Sequence, residues 1–312
     1  MAIADSLYEK LTNQEDARVC EDISEQACRE TPRSFVLILL SSFLTKVGDA
    51  VASPKTTLAW VTTVVGAPEF VLGLLVPLRE SGSLIPQLFI GGMIRRLAVR
   101  KWIWMLGSVL QSVAILGIGA VVLLMEGRTA GYAILGLVIA FSLARGFCSV
   151  AYKDVLGKTV PKKKRGQLTG WSASAAGIVT VAVGIMLILP KEAGNGAAVY
   201  GFLLIAAAGL WLIAAAVYAQ IPEYPGATGG ARSAMEALSR LRILVNDKPF
   251  RRFVITRALF MCSALSAPFY VALAQGRLGS PEYLLGAFVA ASGAASLVSA
   301  PVCGRLAERP AK

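Results

Sequence analysis

Long apolar stretches alternate with short polar segments along this chain, and eight of them are long enough to be read as helices. They lie at about residues 34–52, 69–92, 102–125, 131–152, 168–189, 197–219, 253–275 and 283–303. A helix needs about 20 mostly apolar residues to cross a bilayer, so each stretch predicts a membrane span. The second is interrupted by Arg79-Glu80 and carries Pro77, Gly82 and Pro86, which predict a bent or broken helix with freed carbonyls. Thr57–Pro68 is also apolar and is read with Pro54 as a loop or short interfacial helix on the outer side. The first 33 residues are polar and rich in acid, lacking the basic-then-apolar order of a signal peptide. They predict a cytosolic leader with a short helix after Ser6, ended by Thr31-Pro32. The predicted fold class is an all-α polytopic membrane protein, a bundle of about eight transmembrane helices.

Charge fixes an orientation. With the N-terminus placed in the cytoplasm, 23 of the 31 lysines and arginines fall in inner segments and 4 in outer ones. That asymmetry predicts an inside N-terminus and an even number of spans. Composition agrees: the chain is 55% hydrophobic and 16% charged, with a mean hydropathy of +0.63 and a net charge of +12. A nucleic-acid binder of that charge would need a broad basic surface on a soluble body, so nucleic acid is not an expected partner. The stretch GKTVPKKKRG, Gly157–Gly166, falls in an inner loop between spans four and five. It is no phosphate-binding loop, because Tyr152 stands where the first glycine of that motif belongs.

The chain has no histidine, which excludes histidine-dependent zinc sites and Ser-His-Asp or Cys-His catalysis. The five cysteines form no Cys-x-x-Cys pair and are read as small apolar packers. No catalytic residue, metal or cofactor is expected.

Charges inside spans are the candidate functional groups, since each costs about 2.5–3.5 kcal/mol to insert. Ser42, Lys46, Asp49 and Ser53 share one helical face of span one. They read as a polar stripe on a transport path, or as a local Lys46–Asp49 pair that only holds helix register. Glu80, Ser83 and Gln87 share a face of span two, with Arg79 about 100° away. They read as a substrate or proton site, or as residues near an interface. Arg145 lies in span four. Arg257 reads as an anchor or a gate, and Lys153-Asp154 as part of a cytoplasmic charge network. Asp49 and Glu80 are the candidate proton carriers. The basic residues within spans lean the solute toward an anion or a polar organic molecule.

Two stretches resemble the loop signature of the major facilitator superfamily. The better copy is Gly304-x-Leu306-Ala307-Glu308-Arg309, after the eighth span. The other, GGMIRRLAVRK after the second, keeps Gly92, Arg100 and Lys101, with Arg96 at the position of the acid. Gly92 and Gly304 lie 212 residues apart, as expected if one half of a fold repeats the other. The basic run ending Arg165-Gly166 and the long polar link after six spans agree, while the glycine-proline signature of drug antiporters is missing from span five. The resemblance implies residues 34–219 as a six-helix bundle, 220–251 as a cytoplasmic link, and 252–312 as the first two helices of a second bundle. It further implies a secondary transporter of twelve spans in the plasma (inner) membrane, moving a small solute with protons as the candidate coupling ion. On that reading the chain stops after the eighth span and does not transport alone. The other reading is a non-transporting sensor or scaffold of the same ancestry. An intramembrane enzyme lacks its motifs, and the oligomeric state is not specified.

Overall fold

Backbone polar groups in hydrocarbon need partners within the same segment, so apolar runs of this length become helices. The computed structural model describes residues 2–11, 23–94, 96–189, 196–226, 228, 243–278 and 282–307. Every regular element among them is helical. In order they are α1 (Ala2–Leu11), α2 (Glu25–Arg29), α3 (Thr31–Val51), α4 (Thr57–Val64), α5 (Glu69–Ile94) and α6 (Lys101–Leu124), followed by α7 (Gly127–Thr159), α8 (Lys162–Ile188), α9 (Gly196–Ala219), α10 (Ile243–Asn246), α11 (Lys248–Leu278) and α12 (Glu282–Ala307).

Among the described residues six helices, α3, α6, α7, α8, α9 and α11, are long and apolar enough to cross a membrane. The other two expected spans are also long helices. α5 has 26 residues, about 39 Å at ~1.5 Å per residue, but contains Glu69, Arg79 and Glu80. The apolar part of α12 is Tyr283–Ser299. α5 runs unbroken through Pro77, Gly82 and Pro86, so of the expected bend or break the break does not occur. A proline removes one hydrogen bond, and in a packed bundle neighbouring helices can hold the rest of the ladder.

Several boundaries move for physical reasons. α3 begins at Thr31, with Pro32 in its first turn, where a missing N–H costs nothing. α7 continues to Thr159 because Ala151, Val155 and Leu156 keep an apolar face buried. The basic run expected in a loop is helical: Pro161 caps α8, and Lys162–Arg165 form its first turn. α11 begins at Lys248, within the expected link.

The leader is not free-standing. α1 begins at Ala2, before Ser6, and its Tyr8 is buried with its ring 5.3 Å from Phe35 of α3, edge to face. Cys28 is disulfide-bonded, which corrects its reading as an apolar packer.

α6 packs on α7 and α9, α5 on α7, and α3 on α8 and α9. α8 and α12 meet through small residues. A Cβ on Gly184 would lie 2.4 Å from the Ala290 nitrogen, and one on Gly286 would lie 2.5 Å from the Gly184 carbonyl. α4 is a short helix as expected, but it is buried in the bundle: Leu58, Ala59, Trp60 and Val61 are each 2% exposed or less. It joins a core that includes Ile118, Phe141 and Trp211, together with Val271, Leu285 and Val289 of α11 and α12. Lys55 and Gly127 mark one end of the bundle, here the far end. Arg100, Lys158 and Glu223 mark the other, the basic end.

Candidate functional site

Three helices bring ionised side chains to one point. Asp49 of α3 accepts from Arg79 Nη2 of α5 at 2.7 Å and from Arg145 Nη1 of α7 at 2.6 and 2.7 Å. Neighbouring small residues allow the approach. A Cβ on Gly48 would fall 2.8 Å from the Trp211 ring, and one on Gly82 would fall 2.9 Å from Ser142 Cβ. The guanidinium of Arg79 lies 3.8 Å above the Phe141 ring, which meets Trp211 edge to face at 5.5 Å. One carboxylate thus serves two guanidiniums, and the cluster carries one net positive charge.

Lys46 is not the partner of Asp49, which removes the local-pair reading of span one. Its Nζ donates to Ser172 Oγ at 2.7 Å and to the Thr169 carbonyl at 3.0 Å, both on α8. Asp49 has turned to charged donors on α5 and α7 instead.

Two cavities meet at the triad. The first, of about 260 Å³, is lined by Ser42, Lys46, Asp49, Arg145, Tyr152 and Trp211 among others. The second, of about 200 Å³, lies toward the far end and is lined by Asp49, Ser53, Lys55, Arg79, Glu80 and Arg145. Asp49 and Arg145 belong to both walls, so the triad stands between the cavities. The stripe Ser42, Lys46, Asp49 and Ser53 runs along the pair of them, with Asp49 at the junction. In the first cavity Ser42 Oγ donates to Tyr152 Oη at 3.4 Å, and Gln111 Nε2 donates to Cys148 Sγ at 3.0 Å.

The remaining residues of span two are not gathered there. Glu80 is at the far rim, 3.8 Å from Lys55, with both side chains more than a third exposed. Gln87 donates to the Ser83 carbonyl and lines a separate 250 Å³ cavity with Arg100, Lys153 and Asp154. Arg257 is exposed on α11.

At the basic end the first loop motif is a clasp. Gly92 lies in the last turns of α5, and Arg96 is exposed in the turn beyond. Arg100 is buried; its Nε donates to the Ile94 and Leu97 carbonyls at 3.1 and 3.0 Å, and its guanidinium pairs with Asp154 of α7. Lys101 Nζ donates to the Ala219 and Ile221 carbonyls at 3.0 and 2.8 Å. Glu223, just beyond α9, accepts from the backbone N–H groups of Arg100 and Lys101 at 2.7–3.0 Å and from Lys158 Nζ at 2.9 Å. Lys158 also pairs with Asp154 at 3.1 Å. An acid beside the first N–H groups of a helix is favourable there.

Sequence reasoning named Asp154 as part of such a network and missed Glu223. The available signal was Ile221-Pro222-Glu223, a proline and an acid directly after an apolar span. In the second motif copy, Gly304, Leu306 and Ala307 lie in the last residues of α12, while Glu308 and Arg309 lie outside the described residues.

A helical bundle with several membrane-length helices and an ionised centre is a polytopic membrane protein. The family model of the Major Facilitator Superfamily matches residues 38–312, and the chain belongs to that superfamily. It is therefore a major facilitator transporter. Among curated proteins none matches the chain.

Proposed function

We propose that the protein is a secondary transporter that moves a small anionic or polar organic solute by alternating access, with the Arg79–Asp49–Arg145 triad as the barrier and coupling element. The observation that carries this is the sharing of Asp49 and Arg145 by both cavities. A solute in either cavity meets the same charges from opposite sides. Protons are the coupling ion. Asp49 takes a proton only as a guanidinium withdraws from it, so proton uptake and opening of the barrier become one event. Glu80, at the rim and beside Lys55, is outside this step.

Residues 34–219 make the bundle that holds the site, and α11 and α12, from Lys248 onward, belong to a second one. The charge asymmetry supports a cytoplasmic N-terminus in the plasma (inner) membrane, with the basic end facing the cytoplasm.

The test is uptake of organic solutes by proteoliposomes carrying the purified protein, with and without a pH gradient. Gradient-dependent uptake is expected, abolished by Asp49→Asn and kept by Glu80→Gln. Undiminished gradient-driven uptake by Asp49→Asn would overturn the coupling role. Absence of uptake for every solute would favour a sensor or scaffold.

A further inference from the structure

We infer that the solute is a monoanionic organic acid with a flat apolar body, and that its acid group seats between Lys46 and Arg145 in the first cavity. Calling this molecule the transported solute rests on the transporter reading above; the anion site itself does not.

The charge count of the cavity wall is the first argument. Lys46, Arg145 and Lys153 line it, against the single carboxylate of Asp49. That carboxylate is already divided between Arg145 and Arg79, a further cation directly behind it. Positive charge in excess inside a bundle is costly unless a counter-charge arrives. A cationic solute would add to the repulsion, and a neutral one would leave it in place.

The partners of the two central cations are the second argument. Lys46 has only neutral acceptors, a hydroxyl and a carbonyl, and no carboxylate within ion-pair distance among the described residues. Arg145 uses one amino group, Nη1, on Asp49, and its side chain is 39% exposed toward the cavities. A guanidinium presents a planar fork of donors that suits a carboxylate, and the ammonium of Lys46 adds a point charge beside it. Lys46 and Arg145 together make one such seat, and it takes a single acid group.

The rest of the wall defines the body of the molecule. Trp104, Cys148 and the ring of Tyr152 line the same 260 Å³, together with the fully buried Trp211. Aromatic walls favour flat apolar groups, and Ser42, Thr45, Gln111, Ser149 and Thr169 add neutral hydrogen-bonding groups around them.

The experiment titrates three named probes into the purified chain in nanodiscs and follows tryptophan fluorescence, which nitroaromatic groups quench at short range. The probes are para-nitrobenzoate, its neutral isostere para-nitrobenzamide, and the cation para-nitrobenzylammonium. Saturable quenching by the benzoate is expected, at least about tenfold tighter than by either other probe. Lys46→Met should weaken it by about tenfold and Lys46→Arg should restore it. Trp104→Phe should lower the quenching amplitude, which places the probe in this cavity.

Equal affinity for the amide or the cation would overturn the inference, as would absence of saturable quenching by the benzoate up to ~10 mM, ten times the 1 mM at which binding is worth about 4 kcal/mol. Should Lys46→Met not fold, the comparison of the three probes on the unaltered chain still decides. The two readings also fail separately. Benzoate binding without uptake of any organic solute sinks the transporter and keeps the anion site. Uptake confined to neutral or cationic solutes, without benzoate binding, does the reverse.

Discussion

At the scale of single residues, the triad makes its members unequal. Asp49→Asn leaves two guanidiniums facing each other, one of them nearly sealed from solvent. Breaking a buried ion pair from one side costs about 3–5 kcal/mol, and that loss is expected in the thermal unfolding of the purified protein. Arg145→Gln should cost less, because its side chain is 39% exposed and the Asp49–Arg79 pair survives. If Arg145→Gln were the more damaging of the two, Asp49 would not be the shared centre of the cluster. The sequence made these residues conspicuous, since charges in apolar runs stand out. It did not show their pairing. Spacing of three along a helix suggested Lys46 with Asp49, whereas the partners of Asp49 come from 30 and 96 residues away. Glu223 was less visible still, because an acid just past a helix is ordinarily a solvated one.

At the scale of helices, apolar length placed all eight long elements, since burial of a run that long leaves the backbone few alternatives. What it could not place were features decided by neighbours. Helix α5 passes through two prolines, α4 is buried where an interfacial position was expected, and the first lysines of α8 are helical. The contact of α8 with α12 offers a test of packing. Gly184→Val should separate the two helices, because even its Cβ would overlap the Ala290 backbone. Overpacking of this kind costs about 1–3 kcal/mol or more, read as a lowered melting temperature. Gly136→Ala is the control. Nothing lies within 4 Å of its would-be Cβ, so the change should be neutral or stabilising by about 0.5–1 kcal/mol. Equal melting temperatures for the two variants would mean that α8 and α12 do not meet at this glycine.

At the scale of the whole molecule, Glu223 joins the loop before α6, the end of α7 and the segment after α9. Its carboxylate is fully buried, and Glu223→Gln keeps its shape while removing its charge. Amide hydrogen exchange at Arg100 and Lys101 is expected to accelerate by roughly tenfold or more, from the ~1.5–3 kcal/mol carried by a hydrogen bond to a charged group. Unchanged exchange would show that the loop is held by the bonds of Arg100 and Lys101 side chains alone. The same clasp has a consequence in time. During synthesis the amide of Arg100 waits 123 residues for its acceptor. At about 5–20 residues per second the ribosome needs roughly 6–25 s to deliver it. Through that interval the start of α6 has no carboxylate from Glu223. The Glu223 clasp between the loop before α6 and the end of α7 can therefore close only once the end of α9 has emerged.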